Sequence, residues 1–177
     1  EVEVVVRTGT EQDDTGITIE LSTKSFDFEE WTVGWQSYER LTIPGYINGH
    51  TDEAGWPLLP VKGLLVDLPR DKAATLSVVE IEIETHSGYQ VYPVPSHELT
   101  EGGQLREVFF YNQQAYGSDA FYPQSTAELG PSYLYRDQLK QKVVLHPLGF
   151  NPVTGELQLR KRIRVRVDFV DPQPMAA

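Results

Sequence analysis

Two segments alternate apolar and charged residues with a period of two, and this pattern limits the fold before any other feature does. In TLSVVEIEIETH, Val79, Ile81 and Ile83 take one face, and Glu80, Glu82 and Glu84 the other. In ELQLRKRIRVRVDFV, Leu157, Leu159, Ile163, Val165, Val167 and Phe169 share a face, while Arg160, Arg162, Arg164 and Arg166 fill the opposite one. Successive side chains change sides in a strand but not in a helix, so both segments are strands with one face toward a core.

The rest of the chain extends the pattern. EVEVVVRTG (with Val2, Val4 and Val6) and GITIELST (with Ile17, Ile19 and Leu21) read as strands, with TEQDDTG as the turn between them. NGHTDEAGWPLLP is a loop, because Gly49, Gly55, Pro57 and Pro60 forbid a regular helix, and VKGLLVDLP is a short strand. The polar stretch from Ser96 to Ser125 is expected to hold a short strand at Glu107 to Tyr111. A turn at Gly130-Pro131 leads into a strand, a polar link and another strand, and NPVTGE closes a hairpin through Pro152 and Gly155. No helix longer than two turns is apparent. Many short strands separated by Pro/Gly turns define an all-β chain, an antiparallel β-sandwich of jelly-roll-like kind with long loops and little helix. The 177 residues fit one sandwich over 1–170, with 171–177 as a Pro-containing linker.

Composition excludes several functions. A formal charge of −11 argues against a nucleic-acid binder, which needs a positive footprint. No apolar run approaches the ~18 residues of a membrane span. With no cysteine, the chain has no disulfide, thiol nucleophile or thiolate metal site. His50, His86, His97 and His146 are scattered without metal-ligand spacing, and His50-Thr51-Asp52-Glu53 lacks the surrounding pattern of a calcium loop, so neither metal nor cofactor is expected. Alternate glutamates on a strand line a flat face rather than a cleft, and no nucleophile elbow is present. Trp31, Trp35 and Trp56 admit a sugar-stacking platform of a carbohydrate-binding or adhesive module, if they share one exposed face. The arginine stripe has two readings: pairing with the glutamate face of a neighbouring strand, or facing a partner.

Three features carry a family resemblance. GHTDEAGWPLLPVKGLLVDLP runs a G-x-P-x-L-P loop into a strand, FYP follows at Phe121, and YRDQLKQKVVLHPLGFNPVTGELQL joins two strands through an aromatic-Asn-Pro hairpin. In this order and spacing, from about Gly34 to Phe169, the chain resembles the N-terminal propeptide of gingipain-type cysteine peptidases. The resemblance implies a non-catalytic β-sandwich that keeps a caspase-like catalytic domain latent, helps it fold and is removed by proteolysis near VDPQPMAA. It implies a bacterial protein of the secreted or cell-envelope class, and a nucleophile that belongs to the peptidase partner.

It also implies a surface loop that presents a basic residue to the peptidase cleft. Arg106 is the only Lys or Arg between Lys72 and Arg136, and it lies in HELTEGGQLREVF, a glycine-flexed acidic stretch. A lone guanidinium there suits a pocket with a carboxylate at its base. Gly102, Gly103, Gln104, Leu105, Arg106 and Glu107 are the candidate inhibitory loop. The competing reading is a surface arginine paired with Glu101 or Glu107. A partner that prefers another residue type would take Leu105 or Phe109 instead.

Overall fold

The computed structural model describes residues 6–45 and 49–173. Chain order is β1 (Val6–Asp13), β2 (Gly16–Thr23), β3 (Asp27–Val33), β4 (Gln36–Thr42), β5 (Lys62–Leu68), β6 (Ala73–His86), β7 (Ser96–Leu99), β8 (Leu105–Val108), α1 (Gln113–Tyr116), β9 (Ala127–Tyr135), β10 (Gln138–Leu145), β11 (Leu148–Asn151) and β12 (Glu156–Val170). The expectation of an all-β antiparallel sandwich with little helix is borne out. Val2 and Val4 lie outside the described residues.

The long strand β12 organises the larger sheet. One of its edges takes β2 and then β11, the other takes β6 along nearly its whole length, and β1 pairs beyond β2. The second sheet is β5-β10-β9. Ile163, Val165 and Val167 of β12 and Ile17, Ile19 and Leu21 of β2 meet Val66 of β5 and Val143 and Leu145 of β10. A second apolar cluster gathers Leu148, Phe150, Leu157 and Leu159 with Leu41, Leu59, Val91 and Tyr116. Each such aliphatic side chain contributes about 1.5–3 kcal/mol on full burial.

The two motif loops are built into this second cluster. Gly55 adopts φ +83°, donates to the Val94 carbonyl, and leaves no room for a Cβ, which would lie 2.7 Å from the Phe110 ring. Leu59, four residues on, is fully buried. In the FNP hairpin, buried Asn151 donates to Asp119 at 2.9 Å and accepts from the amides of Val153 and Thr154 at 3.0 and 3.3 Å. Its side chain therefore forms the turn that Pro152 and Gly155 complete.

Several local expectations are corrected. β1 continues through Thr10–Asp13, and the turn shrinks to Asp14-Thr15, where Asp13 Oδ1 accepts from the amides of Thr15 and Gly16 at 2.8 and 3.0 Å. Gly130-Pro131 lies inside β9, at an irregularity opposite Gln141/Val143. Proline is tolerated there because β9 is an edge strand. The reversal falls instead at Arg136-Asp137, with φ 44° and 67°. On β6, Val79, Ile81 and Ile83 do not face a closed core, being 59%, 38% and 48% exposed. β6 is an edge strand, and only its beginning (Ala74, Leu76) packs on the first cluster. Alternation fixes which residues share a face, but not whether anything covers that face.

The two charged faces do adjoin. Glu82 lies opposite Arg162 and Glu80 opposite Arg164. Arg162 pairs with Glu20 at 3.0 Å and Glu80 at 3.5 Å, and Lys161 with Glu84 at 2.8 Å. Arg166 reaches Asp13 at 2.8 Å and Asp168 at 3.1 Å. Arg160 is the exception in the stripe, because it is buried and 3% exposed. A register shift between Arg160 and Arg162 breaks the alternation there, and residues 122–125 cover the strand.

Hydrogen bonds from Arg166, and then from Thr15, hold the Asp13 carboxyl far below the usual carboxylate range. A depressed carboxyl stabilises the fold above its unfolded pKa, near 3.9, and loses that contribution as pH falls through the folded value. Asp13→Asn therefore lowers Tm at pH 7, and the gap to wild type closes progressively below about pH 4. Because Asp13 is exposed, 1 M salt also narrows the gap. Thermal melts of both proteins across pH and salt check both trends.

Candidate functional site

The β7–β8 hairpin stands out from the sandwich. Its register pairs Ser96 with Val108, His97 with Glu107, Glu98 with Arg106 and Leu99 with Leu105. The turn closes through Thr100 N to Gln104 O at 2.8 Å and Gly103 N to Thr100 O at 2.9 Å, with Gly103 at φ +74°. Every residue from His97 to Glu107 is exposed, and Leu99 and Leu105 at 74% and 70%.

The base of the hairpin is anchored while its tip is open. Glu107 receives the Arg40 guanidinium at 3.0 Å, and that guanidinium lies over the rings of Trp31 at 4.0 Å and Tyr92 at 4.4 Å. Phe109, just beyond β8, packs on Tyr38 at 5.4 Å and Tyr92 at 5.6 Å. The aromatic–cation stack fixes the direction in which the hairpin leaves the body.

Within this frame Gly102, Gly103 and Gln104 form the tip, and Leu105, Arg106 and Glu107 rise on β8. The strand runs Leu105–Val108 and not Glu107 to Tyr111, because cross-strand pairing with β7 sets its limits. Arg106 pairs with Glu98 at 3.3 Å, rather than with Glu101 or Glu107. Both partners are mostly exposed, so the pair is worth at most about 1 kcal/mol and breaks at little cost. Sequence reasoning located this segment but missed Arg40. Its signal was faint: one arginine in an aromatic-rich stretch, whose acidic partner Glu107 lies 67 positions away.

Other candidates do not assemble. The tryptophans occupy three environments: Trp35 is 94% exposed at the β3–β4 tip, Trp31 lies under Arg40, and half-buried Trp56 packs on Tyr122 at 4.9 Å. The three tryptophans therefore do not make up one shared exposed face. His50 Nδ1 lies against the Thr51 carbonyl, and among the described residues no three His, Asp or Glu side chains converge to hold a metal ion. No helix among the described residues is long and apolar enough to cross a membrane.

The described residues form a β-sandwich that carries an exposed hairpin joined to it at Glu107 and Phe109. The Propeptide_C25 family matches residues 2–177, and the chain belongs to that family, the propeptides of gingipain-type cysteine peptidases, as a non-catalytic domain. Gingipain R2 of Porphyromonas gingivalis is 25% identical over 126 residues, which cover 71% of this chain and 17% of that protein. Gingipain R1 of the same organism is 24% identical over 132 residues, covering 74% of this chain and 13% of its own. The chain thus spans less than a fifth of the length of these relatives. Two solved chains share the fold with TM-scores of 0.78. One comes from work on the zymogenic latency of gingipain K from Porphyromonas gingivalis (18% identity, 94% of this chain and 93% of that one). The other comes from the complex of Porphyromonas gingivalis RgpB pro- and mature domains (20% identity, 99% and 89%).

Proposed function

We propose that this chain holds a caspase-like cysteine peptidase latent, covering its active cleft with the β7–β8 hairpin and presenting Arg106 to the specificity pocket. The observation that carries this reading is the contrast within the hairpin, whose base is locked by Arg40 while its tip and Arg106 are exposed. A ligand held ready in its bound direction loses less entropy on binding, which favours tight inhibition. The likeness to a chain from a complex of pro- and mature domains supports a partner of that kind.

The same reading makes the domain a folding aid for the peptidase, and residues 171–177 the linker at which proteolysis separates the two. It places the protein in the secreted or envelope fraction of a bacterium. The internal pairing of Arg162 and Arg166 with Glu20, Glu80, Asp13 and Asp168 supports a scaffold role for the stripe. The test is a titration of the cognate catalytic domain with this chain, with refolding yield of that domain measured in its presence and absence. Stoichiometric inhibition and a raised yield are expected. No inhibition at any ratio overturns the latency reading.

A further inference from the structure

On the face of the β5-β10-β9 sheet away from Val143 and Leu145, beside the loop of residues 49–53 and at the end away from the hairpin turn of β9–β10, a cavity of about 720 Å³ opens beside His146. The His146 side chain is 6% exposed, and neither ring nitrogen has a hydrogen-bond partner. Its Nε2 stands 3.6 Å from Glu128 Oε1 on β9, beyond hydrogen-bond distance but within ion-pair reach of a protonated ring. Behind it, on β12, Arg160 is buried and donates to three main-chain carbonyls: His146 at 3.0 Å, Pro123 at 3.1 Å and Ser125 at 3.5 Å. The cavity is also lined by Lys62 of β5 and Lys142 of β10, and by His50, Asp52 and Glu53 from the facing loop. Tyr122, pushed up to about 12 chiefly by burial, stays neutral there.

These groups tie down one segment. His146 N donates to Thr126 O, and Tyr122 and Phe150 exchange both of their main-chain hydrogen bonds at 2.8 Å. Residues 122–126 are thus held to the sandwich by the Arg160 fan and by the main chain on either side of His146.

We propose that His146, buried without a hydrogen-bond partner beside Arg160, is an acid-sensitive latch on residues 122–126, and that its protonation loosens this segment and the domain's hold on the peptidase. A proton on the ring places a second cation next to the buried guanidinium, away from water, with one carboxylate, itself exposed, to offset it. Burial accordingly holds the imidazole below its ordinary pKa, against the raising pull of Glu128 and with a smaller lowering from Arg160. The unfolded chain therefore binds this proton at higher pH than the folded one. Stability contributed by neutral His146 is complete above about pH 6.5 and declines as pH falls toward the lower folded value. The link to inhibition rests on the latency reading; the latch itself does not.

Hydrogen exchange of the full chain at pH 7.5 and pH 5.5, corrected for intrinsic rates, tests the latch. Protection at the Tyr122, His146 and Phe150 amides is expected to drop at pH 5.5 relative to Ile163 and Val165. His146→Gln should keep it level, and Glu128→Gln, which removes the facing carboxylate, should deepen the loss. Level protection in wild type, or an undiminished acid loss in His146→Gln, overturns the proposal. If His146→Gln fails to fold, the Glu128→Gln comparison decides alone. Binding to the catalytic domain is measured at both pH values in parallel. Wild type should weaken on acidification more than His146→Gln. No binding at pH 7.5 counts against the latency reading and leaves the exchange result standing.

Discussion

Arg106→Ala weakens binding to the cognate catalytic domain by about 30-fold to a few thousand-fold, the equivalent of about 2–5 kcal/mol. The size of the effect follows from what is left behind. On the proposed latency reading the guanidinium meets a carboxylate at the base of a closed pocket, and truncation would strand that carboxylate without water or counterion. In the free domain the same side chain is exposed and its pair with Glu98 is weak, so melting of the variant should match wild type. Loss of binding with unchanged Tm is the signature of a contact residue and not of a folding defect. Arg106→Lys keeps the charge but loses the forked donor geometry and should fall between the two. Unchanged inhibition constants for Arg106→Ala, measured beside Leu105→Ala and Phe109→Ala, move the blocking contact to another residue of the hairpin.

The second large effect is on stability. Replacing Arg160 with Met keeps most of the volume but removes the donors on which the carbonyls of His146, Pro123 and Ser125 depend. Each buried carbonyl left bare costs about 1–3 kcal/mol, and relief from burying a cation offsets part of the sum. The expected net loss is about 2–4 kcal/mol, a fall in Tm of roughly 5–15 °C. Desolvation pulls the Arg160 pKa down to about 10, so the side chain remains a cation over the whole working range and the deficit should persist at any neutral pH. Chemical denaturation of both proteins checks it. A variant within about 0.5 kcal/mol of wild type would mean that the loop over β12 rearranges to satisfy its own carbonyls.

Arg160 and Arg162 also show where the sequence stops informing. Both sit at even positions of the same alternating strand, and nothing local separates them. One lies half-exposed among glutamates and the other is among the buried residues, because a register shift falls between them and a loop 35 positions away closes over one. His146 became conspicuous for the same reason, since its isolation depends on Glu128, Arg160 and residues 122–126 arriving from three parts of the chain.

What the sequence determined alone was periodic or local. Alternation at Ile17, Ile19 and Leu21 and from Leu157 to Val167 chose strands and the face they bury, and Asn151 with Gly155 chose a hairpin. Those choices depend on side-chain direction and backbone dihedrals within a few residues. What only the tertiary structure decided was coverage and partnership: Ile81 and Ile83 on an open edge, Glu98 rather than Glu107 for Arg106, and Arg40 at the root of the hairpin. Each of these depends on which distant segment comes to lie alongside, and a pattern of period two carries no information about its neighbour across the sheet.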